Sequence, residues 1–314
     1  MLWKELLKDK RGMNLLLTGC FNYSNDQISA LQSLGCTIHF IQYENDALPV
    51  IPSEVEAVVC NGLFLSHDIE QFSSLKYIQL TSAGFDRVPI DRIKERGINI
   101  HNARGVYSTP MAEWALCRVL EHFKQGQFFR EEQKGKRWTK HRGLREVAGI
   151  KLAVIGAGNV GQEVAKRFQA LGAETTGFDI HTNETVGFNH MALTSTLKDH
   201  IGEFDVVVIT APLLPSTKGL ISRKVLNSLK ADSMLVNISR GGLIDESALY
   251  DFLKKRNDVY AALDVFEIEP LPSDSPLWQL ENVAISPHNS FVSDGNNGRM
   301  FKVIYENLKE FINR

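Results

Sequence analysis

A chain of 314 residues, 43% of them hydrophobic, is long enough for about two domains that each bury a core. Lys and Arg number 35 against 37 for Asp and Glu, and a net charge of -2 excludes a broad positive field for nucleic acid or anionic lipid. A small-molecule partner is expected instead.

The first residues, MLWKELLKDKRGMN, mix charges with apolar residues and lack the apolar core of a signal peptide. No apolar run approaches the roughly 18 residues that a membrane-spanning helix needs. The spacings of Cys20, Cys36, Cys60 and Cys117 match neither a zinc knuckle nor a CxxC pair, so we expect free thiols and no metal site. Together these features predict a cytoplasmic protein without a membrane partner.

Short apolar runs alternate with helix-length amphipathic segments along the chain, which predicts βαβ units and an α/β fold with parallel sheets. In the first hundred residues a helix is predicted to begin near Asn25. The predicted strands there are NLLLTG, TIHFIQ, EAVVCN, YIQLTSA and INIHN. They predict a compact first domain.

A long helix is predicted from about Ser108, where Ser108, Thr109 and Pro110 offer amino-terminal capping and first-turn chemistry. Apolar residues at helical spacing predict its buried face: Ala112, Ala115, Val119 and Phe123. The basic stretch KGKRWTKHRG that follows is interpreted as a solvated loop.

A second series of apolar segments begins at Lys151 and predicts another parallel sheet. Most of its strands are apolar enough to be buried on both faces, as in a doubly wound sheet. The predicted strands are KLAVIG, ETTGFDI, DVVVIT, SMLVNIS, VYAALDV and NVAIS.

The sequence GAGNVG follows the first of these strands and opens a helix, which is the context of a dinucleotide-binding loop. Gly156 would permit the tight turn, Gly158 would let backbone approach a pyrophosphate, and Gly161 would let helix and strand pack closely. Asn159 and Val160 lie within the same loop.

Asp179 ends the next predicted strand, 18 residues after Gly161, near the position of the carboxylate that binds the adenosine ribose. A carboxylate there repels the 2′-phosphate of NADP, so NAD is the predicted cofactor. The alternative is a simple glycine turn followed by a strand-end aspartate.

Three charged or titratable side chains follow later strands, at the sheet edge where ligands of open parallel sheets bind. Arg240 follows SMLVNIS, Glu269 lies just beyond VYAALDVFE, and His288 follows NVAISP. The arginine suits a substrate carboxylate, the histidine can donate a proton to a carbonyl, and the glutamate can stabilise the protonated ring. Taken singly, each also fits a surface ion pair, a solvated carboxylate or a structural histidine.

The segments VNISRGGLIDESAL, ALDVFEIEPLP and ISPHNS, together with GAGNVG, resemble the D-isomer-specific 2-hydroxyacid dehydrogenase family over almost the whole chain. The family includes hydroxypyruvate and glyoxylate reductases and phosphoglycerate dehydrogenases. The resemblance implies NAD-dependent hydride transfer between a small 2-keto acid and its D-2-hydroxy acid.

The resemblance also implies roles for individual residues. Arg240 would bind substrate, and Glu269 with His288 would form the acid–base relay. Thr210, Ala211 and Pro212 would border the adenosine, Asp264 would lie near the nicotinamide carboxamide, and the segment GVYSTPMAE would bring Thr109 toward the cofactor. The implied cofactor residues are Gly156, Gly158, Asn159, Val160, Gly161, Asp179, Thr210, Ala211, Pro212, Ile238, Ser239, Asp264 and Thr109. The implied substrate residues are Asn61, Gly62, Ala83, Gly84 and Arg240, with the backbone amides of Ala83 and Gly84 holding the carboxylate.

The family fold implies two Rossmann-like domains. A doubly wound NAD domain of residues 104–290 would be inserted in a flavodoxin-like substrate domain of residues 1–103 and 291–314. Family members are usually homodimers through their NAD domains, so a homodimer is expected.

One departure from the family bears on the substrate. Where phosphoglycerate-type members carry an arginine after the third strand, this chain reads CNGLFLS, with Asn61 and Gly62. A non-phosphorylated substrate is therefore expected, with phosphoglycerate dehydrogenase as an alternative. Further alternatives are an NAD sensor or corepressor on the same fold and a formate or phosphite dehydrogenase. Glu269 counts against the formate type, because formate-type enzymes pair their histidine with an amide.

Overall fold

The computed structural model describes residues 12–182 and 187–314. The amino-terminal stretch considered above therefore lies mostly outside the described residues. The chain divides into two compact units, of which the first runs to Val106 and resumes with Ser293–Arg314, and the second is Tyr107–Val292. Within the described ranges, no helix is both long enough and apolar enough to cross a bilayer.

The first unit contains a five-stranded sheet in the described part of the chain, and all its strands are parallel. The apolar strands are buried: Leu15, Leu16 and Leu17 are fully inaccessible to solvent. The strands are β1 (Met13–Thr18), β2 (Cys36–Ile41), β3 (Ala57–Cys60), β4 (Tyr77–Leu80) and β5 (Asn99–His101), in the order β2-β1-β3-β4-β5. The helices are α1 (Asn25–Ser33), begun by a capping box between Ser24 and Gln27, and α2 (Ile90–Glu95).

The second unit contains a parallel sheet in which the structure describes seven strands. Their order is that of a doubly wound dinucleotide-binding domain with one strand added at the far edge. The strands are β6 (Lys151–Ile155), β7 (Glu174–Asp179), β8 (His190–Leu193), β9 (Val206–Ile209), β10 (Met234–Asn237), β11 (Tyr260–Leu263) and β12 (Val283–Ile285), in the order β12-β11-β10-β9-β6-β7-β8. The helices are α3 (Ser108–Phe123), α4 (Gly126–Lys134), α5 (Asn159–Ala170), α6 (Leu197–His200), α7 (Arg223–Leu226) and α8 (Glu246–Leu253).

Apolar side chains cover both faces of the second sheet, as its strand sequences predict. Ile155 and Val207 belong to the core on one face, whereas Val154 and Val208 belong to the core on the other face, beneath α3 and α5. The predicted buried face of α3 is confirmed, because all four of its apolar residues are nearly inaccessible: Ala112, Ala115, Val119 and Phe123.

One local prediction was wrong, and one strand was missed. Ser108 does not cap α3: the helix begins at Ser108, and the residue before it, Tyr107, caps it without a side-chain hydrogen bond. Thr109 therefore lies within the first helical turn. Strand β8 was not predicted: it is a four-residue edge strand, HMAL, with an exposed residue at each end.

The chain closes with helix α9 (Asn296–Ile312), which belongs to the first unit. Its buried residues recur at a four-residue spacing: Met300, Ile304 and Leu308. Phe311 packs on Tyr77 of β4 with ring centroids 4.9 Å apart, and the Asn307 side-chain amide donates to Gln79 at 2.9 Å. The predicted fold class, two parallel-sheet α/β domains, is confirmed.

Candidate active site

The three glycines of the predicted dinucleotide motif lie in the loop after β6 and in the first turn of α5, where Gly161 is found. Gly156 has a φ of +99°, and a Cβ atom there would lie 2.6 Å from Cα of Ala211, so only glycine fits. A Cβ at Gly161 would lie 2.1 Å from the carbonyl oxygen of Gly156. Gly158 has open space around its Cβ position and caps α5 without a side-chain hydrogen bond. The loop therefore fits a pyrophosphate bound at a helix amino terminus.

Asp179 lies at the end of β7 and is tied to the glycine loop. One carboxylate oxygen accepts a hydrogen bond from the backbone N–H of Ala157 at 2.8 Å, and the other accepts one from the N–H of Ile180 at 2.7 Å. Each carboxylate oxygen keeps a second lone pair for another donor. The carboxylate is thus fixed beside the glycine loop with acceptors left for ribose hydroxyls.

Residues after β9 and β10 lie against the same loop. The Thr210 hydroxyl donates to the carbonyl oxygen of Gly156 at 2.6 Å, and the Ser239 hydroxyl donates to the carbonyl of Ala211. Pro212 is exposed beside them. The side chain of Ile238 instead belongs to the apolar core, where it is 1% exposed, so only its backbone can face a bound molecule.

His288 and Glu269 form a hydrogen-bonded pair beyond β11 and β12. Nδ1 of His288 lies 2.7 Å from Oε2 of Glu269, and both side chains are about one-third exposed, at 36% and 35%. The other carboxylate oxygen of Glu269 accepts the backbone N–H of Phe266 at 3.0 Å, which fixes its orientation. Because Nδ1 faces the carboxylate, Nε2 is the nitrogen left for proton transfer.

Asp264, the residue after β11, organises the loop that carries His288. Its side chain is fully buried, and its carboxylate accepts the Ser286 hydroxyl and the backbone N–H groups of Asn289 and Ser290, the latter two at 2.8 Å. Its backbone carbonyl accepts the N–H of His288 at 2.8 Å, and His288 itself has a left-handed φ of 48°. Sequence reasoning had associated Asp264 only with the cofactor and missed these contacts to the histidine loop.

Arg240 follows β10 in a loop packed against the segment that leads to Glu269. A Cβ atom at Gly241 would lie 1.9 Å from the carbonyl carbon of Phe266, so the glycine permits this close approach. Arg240 is partly buried and donates to the Ser239 carbonyl at 2.8 Å. Among the described residues, it forms no ion pair with an aspartate or glutamate. Its guanidinium therefore keeps donors for an anionic ligand.

In the first unit, the loop after β4 exposes backbone N–H groups. The carbonyl of Ala83 accepts the Asn102 side-chain amide at 2.6 Å, and the carbonyl of Gly84 accepts the Ser82 hydroxyl at 3.0 Å. Within the described ranges, the N–H groups of Ala83 and Gly84 find no protein acceptor. The loop is thus held by its carbonyl oxygens and leaves its N–H groups for a ligand.

The loop after β3 differs, because its N–H groups already have an acceptor. The N–H of Asn61 donates to Oε1 of Glu44 at 2.7 Å, and the N–H of Gly62 donates to Oε2 at 2.6 Å. Sequence reasoning identified Asn61 and Gly62 but missed Glu44, since nothing in the sequence indicates that a residue 17 positions earlier reaches this loop.

The carboxyl edge of the second sheet thus combines a loop that fits a pyrophosphate with a histidine–carboxylate pair. A cofactor site and an acid–base pair of this kind are typical of NAD(P)-dependent oxidoreductases. Residues 116–290 match the family described as D-isomer specific 2-hydroxyacid dehydrogenase, NAD binding domain. The chain belongs to this family, whose members are oxidoreductases that act on CH–OH donors with a nicotinamide cofactor.

Individual relatives of the chain are also named as dehydrogenases or reductases. The chain is 33% identical to D-3-phosphoglycerate dehydrogenase of Methanocaldococcus jannaschii over 81% of its own length, but this match spans only 49% of that relative. It is 32% identical to hydroxypyruvate reductase of Thermotoga maritima over 78% of its own length and 80% of the relative. Among solved structures, a D-isomer specific 2-hydroxyacid dehydrogenase from Xanthobacter autotrophicus Py2 in complex with NADPH and MES superposes with a TM-score of 0.78, at 26% identity over 96% of this chain and 95% of the other.

Proposed function

We propose that the protein interconverts a small, non-phosphorylated 2-keto acid and its D-2-hydroxy acid, with NAD as the cofactor. The observation that carries this proposal is the 2.7 Å contact between Nδ1 of His288 and Glu269. It supports a proton donor of the kind that reduction of a carbonyl requires.

In the proposed reaction, His288 donates the proton from Nε2 to the carbonyl oxygen as the carbonyl carbon is reduced. When bound, the nicotinamide supplies the hydride. Glu269 stabilises the protonated ring and holds its orientation, since its second oxygen is fixed by the N–H of Phe266. In the oxidative direction, the neutral ring accepts the proton of the substrate hydroxyl.

Each unit, taken by itself, offers donors that suit a substrate carboxylate. Within the described residues, the guanidinium of Arg240 forms no ion pair with a carboxylate, and its planar fork suits a substrate carboxylate and a neighbouring oxygen. The N–H groups of Ala83 and Gly84 offer further donors, which supports their role as substrate residues.

The proposal is tested by following NADH absorbance with glyoxylate, hydroxypyruvate, its phosphorylated relative, pyruvate and branched-chain keto acids. We expect turnover with a non-phosphorylated member of this panel, and His288→Ala should lower kcat by about 100-fold or more while NADH binding persists. His190→Ala, which changes an exposed histidine on β8, is the matched control. Near-normal turnover of His288→Ala, or no turnover by the unmodified protein, would contradict the proposal.

NAD rather than NADP is proposed as the cofactor because the Asp179 carboxylate is fixed beside the glycine loop, and a carboxylate at the end of this strand repels the 2′-phosphate of NADP. We expect the unmodified protein to prefer NADH over NADPH. Asp179→Ser should raise the ratio of kcat/KM with NADPH to that with NADH by about 10-fold or more, since it removes a like charge. Asp199→Ser, at an exposed position, should leave the ratio unchanged. Equal efficiency of the unmodified protein with both cofactors would overturn the assignment.

We also propose that the protein is a cytoplasmic homodimer that associates through its second unit. Large apolar side chains are exposed in and after α4, with Trp138 at 97%, Leu144 at 44% and Phe129 at 39%. These supply the apolar surface that a protein interface needs. The four cysteines are free thiols, which supports a reducing compartment.

A further inference from the structure

Glu44 occupies a backbone site that has the chemistry of an anion-binding site. Two successive N–H groups, those of Asn61 and Gly62, point at its two carboxylate oxygens at 2.7 and 2.6 Å. The Thr18 hydroxyl adds a third hydrogen bond to Oε1 at 2.8 Å. Both oxygens of Glu44 therefore accept hydrogen bonds from the protein, two of them from backbone N–H groups.

This site lies where the first sheet is expected to bind a ligand. In the order β2-β1-β3-β4-β5, the direction in which successive strands are added to the sheet reverses between β1 and β3. Ligands of open parallel sheets bind beyond the carboxyl ends of the strands at such a point. Thr18 ends β1, Cys60 ends β3, and Asn61 and Gly62 follow at that edge.

A chain of hydrogen bonds connects Glu44 to the loop after β4. Thr18 uses its only proton for Glu44, so the Cys20 thiol, with its sulfur 2.8 Å from the Thr18 oxygen, donates to that oxygen. The Thr81 hydroxyl donates to the same sulfur at 3.3 Å, and Thr81 lies two residues before Ala83. Desolvation of the thiol, together with the Glu44 charge, raises the pKa of Cys20 to about 11, so the thiol stays protonated. Glu44 is thus part of one hydrogen-bonded network with the proposed substrate loop.

The negative charge of Glu44 is not neutralised by a side chain. Within residues 12–182 and 187–314, no lysine, arginine or histidine forms an ion pair with it. A second anion brought to this edge would therefore meet both a like charge and N–H donors that already have an acceptor.

We propose that Glu44 determines which substrates the enzyme accepts, by excluding 2-keto acids whose far end carries a phosphate or a second carboxylate. This inference rests on the proposed function. It adds a second reason for a non-phosphorylated substrate: besides the missing arginine after the third strand, the Glu44 carboxylate repels an anionic far end. Keto acids with a neutral far end, such as a hydrogen, alkyl or hydroxymethyl group, remain acceptable.

The test compares Glu44→Ala with the unmodified enzyme, using pyruvate as the neutral substrate and oxaloacetate and phosphorylated hydroxypyruvate as the anionic ones. Loss of the carboxylate uncovers the N–H groups of Asn61 and Gly62, so we expect the ratio of kcat/KM for anionic over neutral substrates to rise by about 10-fold or more. Asp46→Ala removes a charge from an exposed position in the same loop and should leave the ratio unchanged. A purely structural Glu44 would lower both values of kcat/KM together, and an unchanged ratio would overturn the proposal.

A second measurement separates this inference from the proposed function. Inorganic phosphate should raise the Tm of Glu44→Ala by more than it raises the Tm of the unmodified protein, because the variant offers two further N–H groups, those of Asn61 and Gly62, to an external anion. If Glu44→Ala does not fold, as judged by circular dichroism, Glu44→Gln replaces it, since the amide keeps the size and removes the charge. Failure of the unmodified enzyme to reduce any of the keto acids would contradict the proposed function. Equal activity of the unmodified enzyme with anionic and neutral keto acids would contradict only the role of Glu44.

Discussion

Asp264 is a buried residue that organises the loop of His288, the proposed proton donor. It accepts hydrogen bonds from Ser286, Asn289 and Ser290, and its backbone holds the N–H of His288. The histidine is therefore positioned from one side by Asp264 through the backbone and from the other by Glu269 through the ring. Loss of either contact should disturb proton transfer before it disturbs the rest of the fold.

Asp264→Asn should lower kcat by about 10-fold or more and the free energy of unfolding by about 1–3 kcal/mol, because an amide nitrogen would face the N–H of Ser290. NADH affinity, measured by fluorescence quenching, should stay unchanged if Asp264 acts on the histidine loop. Weaker NADH binding with an unchanged kcat would instead support the cofactor role that the sequence suggested. Asp274→Asn, at an exposed position, is the control.

At the level of single residues, the sequence predicts those whose position relative to a strand end is informative. Glu269 and His288 could be identified in this way, and the structure brings them into contact. Glu44 and the loop contacts of Asp264 could not be predicted, because each depends on which loops meet after the sheet has formed. A hydrogen bond over 17 residues between Glu44 and Asn61 leaves no periodic pattern in the sequence.

At the level of elements, apolar runs were sufficient to predict the strands that are buried on both faces. The pattern fails for β8, a four-residue edge strand with exposed ends, and where several residues offer similar capping chemistry, as at the start of α3. The packing of α3 on the second sheet has a further consequence at its last turn. His122 stacks on Tyr260 of β11 with ring centroids 4.1 Å apart, and burial, helped by the Arg145 guanidinium, lowers the pKa of His122 to about 4.

This depressed pKa predicts a pH-dependent stability. The unfolded chain binds a proton at His122 near the ordinary pKa of 6.5, whereas the folded chain does so only near 4, so the free energy of unfolding falls as the pH drops through this window. His122→Phe keeps the stacking and removes the titrating group, and it should reduce this loss by about 1–2 kcal/mol after allowance for solvent screening. Urea unfolding at pH 7 and pH 4.5 measures the difference, with His200→Gln as a surface control. Parallel losses in His122→Phe and the unmodified protein would contradict the assignment.

At the level of the whole molecule, the second unit exposes apolar side chains that its own fold leaves uncovered. Trp138 is 97% exposed in a stretch without regular secondary structure. A tryptophan with this exposure buries almost no apolar surface within its own chain and so adds little to its stability. A partner surface would explain it, and a second copy of this chain is the proposed partner.

Light scattering coupled to gel filtration should therefore give a mass of twice 35.3 kDa for the unmodified protein. Trp138→Ser should shift the equilibrium toward the monomer, because tryptophans often contribute a large share of interface energy. Trp278→Ser, which changes another exposed tryptophan of the same unit, should leave the mass unchanged. A monomeric unmodified protein would rule out the dimer.

The interruption of the first unit by Tyr107–Val292 also sets the order in which the protein is completed during synthesis. Strands β1 to β5 leave the ribosome early, but the face of β4 around Tyr77 and Gln79 receives Phe311 and Asn307 only when the last helix emerges. By then all of Tyr107–Val292 has been translated. The first unit can therefore be completed only after the second unit has been synthesised.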